Sequence, residues 1–300
     1  MAEDQRNFRS YYYSKVGFPS VPEKKSLEIL FKDNEIDELK LAQFCARFPL
    51  PAVHRMETWK ILLKVLPRFQ SNRDFVWNVR RDMFFQAQEA ILIMNLATEQ
   101  TPSPTRFLKC YLFAEQTLLF NHEKQETESN SQHFLAFATI FSQLCETEEE
   151  AYWLSRNMFN MVKRKYDQTP TLVEKVKSTL IKEDPELSEY LTRKNLNLPF
   201  TQWFCRCFAG VLPISSLIRI WDRVIGGAIM FLPYVAVALL IGLRRQIMAA
   251  ENLDQVLSAI INTSQETAEV IVNMSMDVSQ KYNVQIGSGV NEVARNRSDY

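Results

Sequence analysis

The chain has 300 residues, 46% of them hydrophobic, and its 35 basic side chains are balanced by 35 acidic ones. That apolar content excludes a largely disordered chain, and zero formal charge argues against a surface that coats nucleic acid. Only 7 glycines occur, and none lies between Gly17 and Gly210. Dinucleotide fingerprints, phosphate-cradling loops and nucleophile elbows all need glycine where backbone meets ligand, so they have no place in that stretch.

The cysteines (Cys45, Cys110, Cys145, Cys205, Cys207) form no C-x-x-C pair, and His54, His122 and His133 have no ligand spacing. Free buried thiols are expected, with neither disulfide, metal nor cofactor. Cys205 and Cys207 are read as two faces of one apolar helical segment. The polar start, MAEDQRNFRS, does not resemble a signal peptide, which points to a reduced, cytoplasmic setting.

In chain order, short amphipathic helices are expected at 24–32 and 35–48, then one at 52–66 ended by Pro67. A long helix at 72–97 is broken by Pro102 and Pro104, and an apolar one follows at 105–120. Residues 121–133, NHEKQETESNSQH, lack any aliphatic or aromatic side chain and read as a solvated loop. A helix resumes at 134–144. Thr147 with Glu150, Thr171 with Glu174 and Thr263 with Glu266 each read as a capping-box start. Residues 226–243, GGAIMFLPYVAVALLIGL, carry no charge, which raises a membrane-anchored reading. Pro233 leaves too short an apolar run to cross a bilayer, so a buried core helix is the better expectation. No strand alternation or fixed repeat appears, and the fold class is all-α. Arg219 and Asp222, three apart, are expected to pair along one helix.

The segment 203–222 reads W-F-x3-F-x3-L-P-x3-L-x-R-I-W-D and carries Trp203, Phe204, Pro213, Arg219, Trp221 and Asp222. It resembles the C-terminal lobe of the TBC domain, a family of Rab-type GTPase activators. Arg55-x3-Trp59-Lys60-x-Leu62-Leu63 resembles that family's opening motif, and Glu148-Glu149-Glu150-Ala151-Tyr152-Trp153 its mid-domain helix start. The resemblance implies a two-lobed helical domain over 45–250. Short N-terminal helices would occupy 1–44, further helices of the same fold 251–282, and a tail 283–300.

It also implies a mechanism to check. In the family's I-x-x-D-x-x-R motif an arginine finger neutralises charge building on the γ-phosphate, an effect of roughly 10³ to 10⁵ in rate. Here the motif reads Val79-x-x-Asp82-x-x-Phe85. A neutral ring stands at the finger, and Arg80 and Arg81 are weak substitutes on other helix faces. The family's Y-x-Q-G glutamine has only Gln132 near its place, while Tyr166-Asp167-Gln168 comes too late in the chain.

Within the family, the text QRNFRSYYYSKVGF, KKSLEIL and RFPLP is similar to the branch of small TBC subunits of the tuberous sclerosis (hamartin–tuberin) complex. That similarity implies a non-catalytic scaffold. Its partners would be the hamartin coiled coil and through it tuberin, with a Rab or Rheb GTPase as a further partner. It would support tuberin's GTPase activation toward Rheb, restrain TOR signalling, and sit peripherally on lysosomal or vesicle membranes through the complex. The alternative is an active Rab GTPase-activating protein. For the partner surface the residues suggest an apolar groove on the helix pair of 74–120, with Met94, Phe107, Tyr111 and Leu118 in it.

Overall fold

Polar side chains at the turns start several of the helices. Asp37 accepts hydrogen bonds from the Leu39 and Lys40 amides, Thr147 from Glu150, Asp184 from Leu187, Asn252 from Gln255 and Ser264 from Thr267. Each satisfies amides that the first helical turn leaves open. The computed structural model describes residues 21–282; the expected tail at 283–300 and the N-terminal text at 1–20 lie outside them.

The helices are α1 Val21–Lys32, α2 Glu38–Arg47, α3 Ala52–Leu62, α4 Arg73–Ile93, α5 Ser103–Ala114, α6 His122–Glu126, α7 Ser129–Leu144 and α8 Glu148–Lys163. After a 3₁₀ turn at Tyr166–Gln168 come α9 Thr169–Glu183, α10 Pro185–Arg193, α11 Phe200–Cys205 and α12 Ile214–Ile225. Another such turn, Ile229–Phe231, leads into α13 Leu232–Gly242, α14 Arg244–Ala249, α15 Leu253–Ile261 and α16 Gln265–Lys281, and a further one at Gln70–Asn72 precedes α4. Among the described residues the only extended pairing is the bridge between Glu35 and Phe69, so the fold is all-α. Two units separate, 21–76 with 222–228, and 77–221 with 229–282; α4 and α12 run from one into the other.

In the first unit, α2 lies against the end of α12. A Cβ on Gly226 would come within 2.8 Å of Cys45 Cβ and 2.9 Å of the Ala42 carbonyl, so glycine sets how closely these helices approach. In the second unit, aromatic rings fill the interior. Phe84 packs on Phe107 and Tyr152, Tyr111 stacks on Phe134, and Trp221 sits over Phe137 and Phe141. The apolar run ends in α13, which starts at Leu232 with Pro233 in its first turn and is buried on every side. No helix among the described residues is long and apolar enough to cross a membrane.

Several boundaries differ from the sequence expectation, for one recurring reason. Lys64, Asn95, Gln116 and Asn195 adopt left-handed φ of 62°, 54°, 57° and 50°, turning the chain out of α3, α4, α5 and α10. At each, the next amide reaches back to the last turn, as Val65 does to the Lys60 carbonyl at 2.7 Å and Thr117 to Leu112 at 2.9 Å. These helix stops normally use glycine, and this glycine-poor chain makes them without it. The helix expected over 105–120 therefore ends at Ala114, leaving Leu119 and Phe120 exposed.

The stretch expected as a solvated loop at 121–133 is instead α6 and the start of α7. Its Gln125 is buried because the side chain donates to the Thr117 carbonyl (2.7 Å) and accepts from the Leu119 amide (2.9 Å). Polar side chains are buried when they satisfy backbone groups in this way. Two capping expectations shift. Helix α9 begins at Thr169, with Pro170 suited to its first turn, so Thr171 is already helical. Thr263 turns its hydroxyl back to the Ile260 carbonyl (2.6 Å), and Ser264 takes the cap. Cys205 and Cys207 do not share a helix: α11 stops at Cys205, and Cys207 and Phe208 turn left-handed at φ 45° and 63°.

Candidate functional site

The family's structural positions divide by unit. In the first, three of them converge on one buried carboxylate. Asp222 accepts from Arg55 Nε (3.0 Å) and Nη2 (3.2 Å) and from Trp59 Nε1 (2.9 Å), while Arg55 Nη2 also donates to the Leu50 carbonyl at 2.8 Å. Burial pushes Asp222 up to about 6, opposed by the Arg55 guanidinium and the Trp59 indole. The pairing of Arg219 with Asp222 is not formed, because Asp222 is turned to α3. Arg219 donates instead to Asn273 Oδ1 at 2.8 Å. In the second unit Trp221 donates to the Cys207 carbonyl (2.9 Å), Trp203 packs on Phe200 and Phe208, and Phe204 packs on Phe208. Pro213 opens α12, its carbonyl accepting from the Ser216 and Leu217 amides. The contacts given above for these groups are all made within the fold.

The positions where catalysis would be expected are on α4 and α7. Phe85 is 48% exposed, its ring tilted 5.5 Å from that of the buried Phe84. Arg80 is engaged elsewhere. Its guanidinium lies 4.6 Å over the Trp153 ring, and its carbonyl accepts from Trp153 Nε1 at 2.9 Å. Burial, helped by nearby Arg156, holds the Arg80 guanidinium below its ordinary pKa. Arg81 and Asp82 are exposed. Gln132 is half-buried, its amide donating 2.8 Å to the Glu126 carbonyl. Tyr166 lies in a 3₁₀ turn, its hydroxyl 3.0 Å from His133 Nδ1. Among the described residues no group of three His, Cys, Asp or Glu side chains could hold a metal ion.

Two of the expected groove residues are interior. Phe107 is fully buried against Phe84 and Tyr152, and Tyr111 is buried with its hydroxyl donating to Asn160 Oδ1 at 2.9 Å. Their ring contacts within the core remove them from any surface. Leu118 is half-buried and Met94 exposed.

What the sequence reading missed is the outer face of α4. Val79, Met83, Gln86, Ala90 and Ile93 follow spacings of four, three, four and three, the seam of a coiled-coil strand. Val79, Met83 and Ile93 are 42%, 51% and 72% exposed, and Met94 adjoins them. The inward face needs only Phe84 and Ile91, the buried side chains of this helix. Exposed Asp82 and Glu89, seven apart, run along one edge of the seam. The 4-3-4-3 spacing was legible in the sequence; which of the two apolar faces turns inward was not.

The sequence profile of the Rab-GTPase-TBC domain matches residues 123–248. The chain is 38% identical over 286 residues to TBC1 domain family member 7 of Danio rerio, covering 94% of this chain and 97% of that one. It is 36% identical over 286 residues, with the same coverage, to the Homo sapiens protein of that name. The crystal structure of the Ypt/Rab-GAP domain of Gyp1p superposes with a TM-score of 0.57 at 14% identity, covering 88% of this chain and 99% of that one. That likeness carries the fold alone.

Proposed function

The chain belongs to the TBC-domain family, and from that premise we propose that it is a non-catalytic scaffold subunit of the hamartin–tuberin complex. In this reading α4 receives a strand of the hamartin coiled coil, and through it tuberin, whose activation of Rheb GTP hydrolysis restrains TOR signalling. The observation that carries it is the exposed heptad seam on α4. A mostly apolar row at coiled-coil spacing, with Gln86 at its middle, suits another helix laid along it. Asp82 and Glu89 beside the seam suit a strand with Lys or Arg along the matching edge. Cytoplasmic placement, peripheral on lysosomal or vesicle membranes, follows from the complex.

The second position that supports the reading is Phe85. A ring there offers no charge to a γ-phosphate, and Arg80 is held over Trp153. The competing reading, a Rab GTPase-activating protein, draws on the description of the matching domain profile. Two experiments divide them. Size-exclusion chromatography with light scattering of the full chain and a soluble hamartin coiled-coil fragment should give one co-assembled species. Single-turnover GTP hydrolysis across a Rab panel should stay at the intrinsic rate. Acceleration that Arg80→Ala or Arg81→Ala abolishes would restore the enzyme reading.

A further inference from the structure

Formal charge is zero over the whole chain but is placed unevenly along it. Eight glutamates stand against one lysine at 115–150, whereas 163–182 carries six basic residues against two acidic ones. That basic stretch covers the end of α8 and most of α9, within the second unit. Lys175, Ser178 and Lys182 follow spacings of three and four, so they share one stripe of α9. Ser178 and Lys182 are exposed, and Lys175 is half-buried.

Both lysines lean on one ring. Lys175 Nζ lies 5.9 Å from the centres of Tyr234 and Tyr282, and Lys182 Nζ lies 5.7 Å from that of Tyr282. Lys281, at the end of α16, brings a third ammonium to 5.7 Å from the same centre. The two rings are themselves stacked at 6.2 Å. Ring faces attract cations, and here they gather three that mutual repulsion would otherwise spread apart. The carboxylate in contact with the cluster, Glu183, is already taken: it accepts from Lys281 Nζ at 2.6 Å and from the Tyr282 hydroxyl at 2.7 Å. Among the described residues, no carboxylate is paired with Lys175 or Lys182. Glu174 is held by Lys177, and Asp184 and Glu186 by Arg244. Asp277, one turn before Lys281, is exposed.

We propose that this cluster binds a small molecule carrying two or more phosphate groups. Lys175 and Lys182 are rooted about 10 Å apart along α9, which suits one phosphate at each better than a single small anion. Ammonium groups serve as point-charge partners for phosphate. The Ser178 hydroxyl, which donates to the Lys175 carbonyl at 3.1 Å, lies between them as a further donor. Acids close the stripe at both ends, Glu174 beside Lys175, and Asp184 and Glu186 beyond Lys182. A long acidic peptide would run onto those carboxylates, and a compact ligand would not. A soluble inositol phosphate and a phosphoinositide headgroup offer the same chemistry.

The test is calorimetric titration of the full chain with inositol trisphosphate, inorganic phosphate and a hexaglutamate peptide. The trisphosphate should saturate one site, tighter than inorganic phosphate by about tenfold or more. Lys175→Gln with Lys182→Gln should weaken it about a hundredfold, as the loss of two charge-assisted contacts implies. Lys177→Gln, which removes the lysine already paired with Glu174, should leave it unchanged. If the double variant melts early, Lys182→Gln alone, at an exposed position, decides: it should weaken the trisphosphate about tenfold. Co-sedimentation with phosphatidylcholine vesicles carrying phosphatidylinositol bisphosphate separates the two sources. Binding that soluble trisphosphate displaces assigns a lipid headgroup, no binding to the vesicles assigns a soluble ligand, and either sustains the inference. No saturation by the trisphosphate, equal or tighter binding of phosphate or hexaglutamate, undiminished affinity in the lysine variants, or an equal loss in Lys177→Gln overturns it.

Discussion

Nine of the eleven residues of α13 are buried, whereas α4, at twenty-one residues, buries only Phe84 and Ile91. In α13 the apolar side chains on every face have partners within the fold, including Ile271 of α16, which comes so close that a Cβ on Gly242 would lie 2.7 Å from its Cγ1. In α4 two of the core's aromatic contacts are made from one face, and the opposite face carries Val79, Met83 and Ile93 into solvent. An apolar helix is thus a property of its surroundings. α13, which raised a membrane reading and was expected as a core helix, is core; α4, in the pair expected to hold a partner groove, keeps one face in solvent.

The comparison can be broken at its interior end first. Leu239→Ala in α13 should cost about 3 kcal/mol, the transfer and cavity cost of a fully buried leucine, read as a fall in chemical-denaturation midpoint. Gly242→Ala should cost about 1–3 kcal/mol through overpacking against Ile271. If Gly242→Ala is neutral, α13 is looser than its burial implies. At the surface end, Met83→Ala should stay within about 0.5 kcal/mol, as substitutions at exposed positions do. A large loss there would mean that the outer face of α4 is covered within the chain.

A pH effect lies between these extremes. Burial, with the nearby Arg206, pushes His133 down from 6.5 to about 4. The unfolded chain therefore takes up a proton at a higher pH than the folded one, so this residue's contribution to stability is full above about pH 6.5 and falls as pH drops toward 4. Melting curves of the chain and of His133→Gln should converge over that interval. Parallel curves would mean that the buried imidazole is already charged or fully solvated.

Much of the fold could be read from residue patterns. The Thr147 cap, Pro233 in the first turn of α13 and the all-α class follow from local chemistry. The helix ends did not show, because Lys64, Asn95, Gln116 and Asn195 take conformations that glycine usually marks. Gln125 was hidden for a different reason: its burial depends on carbonyl and amide groups of a neighbouring loop, which no window of polar residues reveals. At the site, the family resemblance pointed to Phe85 and Asp82 and to Arg55, Trp59 and Asp222, the last three of which meet in the structure. The residue pattern misplaced Phe107 and Tyr111, since an apolar excess on two adjacent helices does not say which side chains face each other.

The role of α4 is tested most directly by titrating a soluble hamartin coiled-coil fragment into the full chain carrying Met83→Glu with Ile93→Glu, beside the unsubstituted chain and Phe85→Ala. Two charges placed in the seam should weaken binding by about a hundredfold or more, with the melting midpoint unchanged and Phe85→Ala binding as the unsubstituted chain does. Undiminished affinity in the doubly substituted, folded chain would contradict a docking face on α4.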